Sequence, residues 1–246
     1  MCRFFSCNFF FLFFVGLSLQ GALGQVGSKA SVPPAKVILE NVRYSQSLER
    51  QVFDAEIRPR KIGIKSTPLR MELFKEGVRF LFFDGDSRRG KIDQVLQLKL
   101  SSGQYVLTEP SNKGGAAAIA PEKYSERIRG SDIVYEDIAM RFLYWPNPQH
   151  LKVEKAKGGD AWKIRCVNPD GIGPYSIVDV WVSQESGAMV RMNGFDSKRR
   201  LIKSYEVEGV QRYKGVWMLR MMNVRTHPVS AGGRIGSTYL KVELPD

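Results

Sequence analysis

The feature that most constrains this chain is a two-residue alternation of apolar and polar side chains, broken by a turn roughly every eight to twelve residues. Leu69, Met71 and Leu73 alternate with Arg70 and Glu72; Val78, Phe80 and Phe82 share one phase; Leu96, Leu98 and Leu100 alternate with Gln97 and Lys99 before Ser101-Ser102-Gly103 turns into Gln104–Thr108. In the second half, Leu151–Lys155 and Trp162–Val167 flank Gly158-Gly159-Asp160, and Val178, Val180 and Val182 share a phase. Runs at Met189–Asn193, Leu201–Val207, Val210–Tyr213 and Val216–Thr226 follow, and Gly232-Gly233 opens a last strand where Leu240, Val242 and Leu244 oppose Tyr239, Lys241 and Glu243. Successive strand residues point to opposite faces, so each run has one apolar and one wet face. The pattern predicts a mainly β chain with a few helices, an α+β class. About ten strands joined hairpin by hairpin would form a large curved sheet or barrel.

At most three helices interrupt the sheet. Ala35–Gln51 carries Val37, Ile38, Val42 and Leu48 at helical spacing. Asn112–Ala120 reads as a small-residue loop, and Pro121–Arg129 as a helix opened by proline. A further helical stretch starts at Ser131-Asp132, runs through Tyr135, Ile138 and Phe142, and stops at Trp145-Pro146-Asn147-Pro148.

Residues 1–24 have a basic start at Arg3, an apolar run from Phe9 to Leu19, and small residues Ala22-Leu23-Gly24 before Gln25. That layout predicts a secretory signal peptide cleaved near Gly24, and its apolar run is too short for a membrane span. Gln25–Pro34 reads as a flexible leader, and residues 35–246 as one β domain. The expected product is exported and soluble. Cys2 and Cys7 leave with the signal, so Cys166 has no internal disulfide partner and reads as a buried strand residue.

The chemistry of common enzymes is missing from the sequence. No G-x-S-x-G, H-E-x-x-H, C-x-x-C or Walker-type loop occurs. The two histidines, His150 and His227, read as exposed loop residues, and neither a metal nor a cofactor is expected. Asp132, Glu136, Asp137 and Glu185 are carboxylates that an exported hydrolase would use, but helix caps and solvated face charges account for them better. The formal charge of +12 invites a nucleic-acid reading. Its densest clusters, Lys198-Arg199-Arg200 and Arg88-Arg89-Gly90-Lys91, sit at turns, so no nucleic-acid partner is expected.

The positive signal is surplus apolar residues. Phe80-Leu81-Phe82-Phe83 and Trp217-Met218-Leu219 are apolar on both strand phases and need cover on both faces. Methionines crowd the same strands, at 189, 192, 218, 221 and 222, and flexible thioethers suit an adaptable cavity. A half-closed sheet covered by short helices would leave an apolar hollow for a hydrophobic ligand. Candidate lining residues are Phe80, Phe82, Leu98, Val180, Met192, Met218 and Leu240 from strands, with Ile138 and Phe142 from the helical cover.

The run SDIVYEDIAMRFLYWPNP (131–148), then WKIRCVNP, YSIVDVWVSQESGAMVRMNGFDSKRRLIKSYEV, GVWMLRMMNV and STYLKVEL, resembles in order and spacing the outer-membrane lipoprotein-sorting proteins related to the carrier LolA. That resemblance implies an incomplete antiparallel β-barrel with a helical lid over an apolar cavity. It also implies a periplasmic, non-enzymatic function: carrying lipoprotein acyl chains or another lipid, with inner- and outer-membrane sorting components as partners. An insert around Ile133–Phe142 would open to admit the chains. The competing reading is an envelope protein-interaction module with a filled β core.

Overall fold

A computed structural model describes residues 32–44, 51–74, 77–85, 87–101, 104–111 and 114–245. The expected signal over residues 1–24, residues 25–31 of the expected leader, and Leu48 of the expected first helix lie outside the described residues.

Thirteen strands form one antiparallel sheet. They are β1 (Gln51–Pro59), β2 (Thr67–Phe74), β3 (Gly77–Phe83), β4 (Ile92–Ser101), β5 (Gln104–Pro110), β6 (Ala116–Ala118), β7 (Gln149–Ala156), β8 (Gly159–Val167), β9 (Ile177–Ser183), β10 (Met189–Phe195), β11 (Leu201–Tyr213), β12 (Val216–Thr226) and β13 (Gly236–Glu243). The spatial order is β6-β5-β4-β3-β2-β1-β13-β12-β11-β10-β9-β8-β7. Neighbours in sequence are neighbours in space, as hairpins require, and β1 closes the two halves by pairing with β13 (Ile57 opposite Leu240). The sheet is therefore an unclosed barrel whose free edges are β6 and β7. The chain between those two edges has to span the gap, and it is this stretch that carries the helical cover.

The alternation sets which face is filled. Phe82 opposes Leu69, Phe80 opposes both Met71 and Leu96, and Leu98 opposes Leu107. Across the other half, Met222 opposes Leu240, Tyr205 opposes both Val224 and Met192, and Val180 opposes both Met192 and Ile164. These residues make one apolar surface along the concave side. The outer side carries cross-strand ion pairs, including Arg70–Asp54 at 3.3 Å, Arg79–Glu72 at 3.2 Å and Arg191–Glu206 at 2.9 Å. Such half-exposed pairs each contribute well under about 1 kcal/mol, so they set solubility and register more than stability.

Several sequence expectations change here. The first helix, α1 (Ala35–Tyr44), is shorter than Ala35–Gln51, and Gln51 already belongs to β1. It buries Ala35, Ile38, Leu39 and Val42, while Val37 faces outward. The expected helix over Pro121–Arg129 is two 3-10 turns, Pro121–Ser125 and Ile128–Gly130, because Arg127 is extended and Arg129 is left-handed at φ 54°. The expected loop over Asn112–Ala120 contains β6. Leu201–Val207 and Val210–Tyr213 are one strand, continuous through an irregularity in register at Gly209. Leu81 and Phe83 are covered on the outer face, with the Arg70 guanidinium 5.6 Å from the Phe83 ring; Trp217 stays 42% exposed, so its strand is not covered on both sides. Cys166 is fully buried on β8, as expected.

Candidate functional site

The cover consists of the two 3-10 turns, α2 (Tyr135–Ala139) and a third 3-10 turn, Arg141–Tyr144. An isolated bridge between Arg127 and Val134 folds its entry back on itself. The Asp137 carboxylate accepts the Val134 backbone N–H at 2.9 Å, which satisfies a free donor at the start of α2. Met140 ends that helix in the left-handed region at φ 46°. Non-glycine residues in this region carry roughly 1–2 kcal/mol of strain each, so Arg129 and Met140 bracket a segment held in shape by its contacts rather than by propensity.

Beneath the cover lies an apolar cavity of about 70 Å3. Its floor is Ile57, Leu69 and Met71 with Phe80, Phe82 and Leu98 beside them; Met222, Val224 and Leu240 form the far wall, together with Leu219. Ile133, Ile138 and Met140 roof it from the cover. Of the residues singled out from sequence, Phe80, Phe82, Leu98, Ile138 and Leu240 meet at this cavity. Phe142, Val180, Met192 and Met218 do not line it: each is fully buried in the continuous core. The alternation also placed Leu69 and Met71 on this face, whereas nothing in the pattern marked Ile57 or Met140.

The cover is tied down by buried polar groups that sequence reasoning treated as caps or solvated charges. Asp132, Glu136 and Asp137 are 5%, 0% and 5% exposed. The Asp132 N–H donates to Thr238 Oγ1 at 2.9 Å, and that hydroxyl donates back to Asp132 Oδ2 at 2.9 Å. Lys203 Nζ, itself 5% exposed, donates to the Asp132 carbonyl and to Thr226 Oγ1, and sits 3.7 Å from Asp137 Oδ2. Tyr175 OH donates to Asp137 Oδ1. Burial pushes the Tyr175 hydroxyl well above its ordinary range, so it stays a donor. Gly236 and Gly194 make room for these contacts: a Cβ on the first would come within 2.2 Å of Asp132 Oδ1, and on the second within 2.6 Å of the Tyr175 ring.

On the opposite flank Arg141 donates to Glu136 Oε2 at 2.8 Å and to the Ile172 carbonyl at 2.7 Å. Burial pushes the Glu136 carboxyl up to about 7, against the opposing pull of Arg141, and Glu136 Oε1 has no hydrogen-bond partner among the described residues. Gln94 Nε2 on β4 donates to Tyr135 OH at 3.0 Å, so three regions of the sheet hold the cover. With both Asp137 oxygens engaged, the one acidic group that lines the cavity among the described residues is already spent, and the space it borders is otherwise hydrocarbon. Chemically the site can bury apolar surface. The histidines lie elsewhere and are half-buried rather than exposed loop residues: His150 is on β7, and His227 follows β12 with Nε2 2.8 Å from Ser204 Oγ.

A family model described as "uncharacterized protein" matches residues 114–243, more than half of the chain. No curated protein matches the chain significantly. Among solved structures, an outer membrane lipoprotein-sorting protein domain from Vibrio parahaemolyticus is similar, with a TM-score of 0.63 at 17% identity over 79% of this chain and 83% of that one. A DUF1329 family protein from Desulfovibrio piger gives a TM-score of 0.66 at 15% identity, covering 85% of this chain and 88% of its own. A LolA superfamily protein from Nitrosomonas europaea gives 0.59 at 20% identity, covering 87% and 96%. The fold is thus that of the LolA-like lipoprotein-sorting proteins, and the chain belongs to the family of uncharacterized proteins whose model spans residues 114–243.

Proposed function

We propose that this protein is an exported, periplasmic carrier that shields the acyl chains of a lipoprotein or another lipid between its concave sheet and its cover. The observation that carries this reading is the apolar cavity roofed by Ile133, Ile138 and Met140, in a segment that spans the gap between two free sheet edges. The likeness in fold to lipoprotein-sorting structures supports it, and makes sorting components of the two membranes its expected partners.

Magnitudes define how such a carrier works. A cavity of about 70 Å3 is several-fold smaller than the roughly 300–1,000 Å3 of ordinary ligand sites, so on this reading the carrier is closed. The cover has to lift before a chain enters. Burying about fourteen methylenes contributes roughly 11 kcal/mol at about 0.8 kcal/mol each. The ties from the cover to Thr238, Lys203, Tyr175 and the Ile172 carbonyl oppose opening with about 1–3 kcal/mol each. Four such ties come to about 4–12 kcal/mol, so one chain matches or outweighs the latch and a second adds to the margin.

The competing reading, an interaction module with a filled core, is favoured by the same small volume and by the full burial of Phe142, Val180, Met192 and Met218. Native mass spectrometry of the gently purified protein, incubated with a diacyl lipid, separates the two. A one-to-one lipid adduct supports the carrier. A bare protein with no adduct at any lipid ratio leaves the filled module.

A further inference from the structure

Beside the cover, apart from the apolar cavity, lies a polar cleft of about 770 Å3. Cations reach it from separate segments: Arg60 and Lys61 from the β1–β2 connection, Arg127 from the entry to the cover, Arg225 from β12 and Arg234 from the β12–β13 connection. The one carboxylate among its lining residues is Asp132, which is already held by Thr238 and lies 3.6 Å from Arg127. Arg225 is shared with Glu206 at 3.5 Å and Glu208 at 3.8 Å. Arg60, Lys61 and Arg234 have no carboxylate within 4 Å among the described residues; Arg60 touches the Tyr239 hydroxyl at 3.5 Å and lies 5.7 Å from that ring's centre. Five cations facing one concave space repel one another, and a concave wall strengthens that field toward whatever enters.

We propose that this cleft is a phosphate-binding site. Arginine forks pair bidentately with phosphate oxygens, and a phosphate monoester brings roughly 1.5 to 2 negative charges, which offset about half or more of the three unpaired cations. The surrounding space exceeds a bare phosphate and is edged by Ile62 and Ile235, which are 101% and 57% exposed. That shape fits a phosphate with an organic body behind it. The cleft and the cavity meet at the cover, where Asp132 lines one and Ile133 the other, while on β12 and β13 Arg225 and Tyr239 lie on the face opposite Val224 and Leu240. Resting on the carrier reading, the phosphate is then the headgroup of the lipid whose chains pass under the cover. Arg127 faces both, because an incoming phosphate competes for it with Asp132, 3.6 Å away.

The test titrates the purified full chain by calorimetry with inorganic phosphate, with dihexanoyl phosphatidic acid, and with a neutral long-chain alcohol. The variants are the double substitution Arg60→Gln with Arg234→Gln and, as a charge-matched control, Lys198→Gln with Arg199→Gln at an exposed turn. The cleft variant is expected to weaken both phosphate ligands by about tenfold or more, through lost charge-assisted contacts, while the control leaves them unchanged. Tighter binding of the phosphatidic acid than of inorganic phosphate identifies a lipid headgroup, and equal binding identifies free phosphate. Absence of phosphate binding in the parent, or equal weakening in both variants, overturns the site. The alcohol reports on the carrier reading alone: bound equally by parent and cleft variant, it upholds that reading whatever the phosphate arms give.

Discussion

Glu136 offers a quantitative test of how the cover is held. Its carboxyl is fully buried at the start of α2, with one oxygen on Arg141 and the other unpartnered, and burial raises it from 4.5 to about 7. Between those values the folded chain holds a proton that the unfolded chain has lost. Stability therefore falls as pH rises through that window and levels off above about 7. A shift of about 2.5 units at about 1.36 kcal/mol per unit makes the loss about 3 kcal/mol. At about 2–4 °C per kcal/mol for a domain of this size, that is roughly 6–12 °C in Tm. Glu136→Gln keeps the shape and never ionises. Thermal unfolding followed by circular dichroism from pH 4.5 to about pH 8 should show the variant gaining on the parent by that amount, since every other titration is common to both. Parallel curves would refute the burial argument. A parent that gains on the variant with rising pH would show that the ion pair to Arg141, at 2.7 Å, outweighs desolvation.

Three further outcomes follow from the same contacts. Gly236→Ala drives a methyl into Asp132, and should lower Tm and speed hydrogen exchange across residues 131–145 while strand amides of β9 and β10 are unaffected. Lys203→Met strands the Asp137 carboxylate and the Asp132 carbonyl, and is expected to cost about 3–5 kcal/mol in denaturant unfolding, as for breaking a buried pair. Ile138→Trp fills the cavity from the cover; acyl-probe fluorescence should fall to background at a stability cost of only about 1–3 kcal/mol.

The sheet was legible because its code is local. Period-two alternation at Leu69–Leu73 or Leu96–Leu100 names the inward face directly, and turn pairs such as Lys214-Gly215 mark where strands reverse. Failures arose where local preference yields to tertiary context. Ala116–Ala118 becomes a strand only because β5 offers it a partner, and Leu201–Tyr213 stays one strand because β12 runs beside it throughout. The cavity was half legible. Strand phase put Phe80, Phe82, Leu98 and Leu240 on the right face, yet phase cannot tell a residue bordering space from one packed solid, as Val180 and Met192 are. The latch was hidden for a different reason: Asp132 and Thr238 are far apart in sequence, and Lys203 sits in a run that reads as a solvated strand.

The central claim is that acyl chains enter beneath the cover and that the cover has to lift to admit them. Hydrogen exchange of the chain with and without a saturating diacyl lipid measures this directly. The amide of Asp132, which is bonded to Thr238 of β13, should lose protection when lipid binds, with the sheet amides unchanged. Lipid binding that leaves that amide as protected as before would place the chains elsewhere and contradict the account.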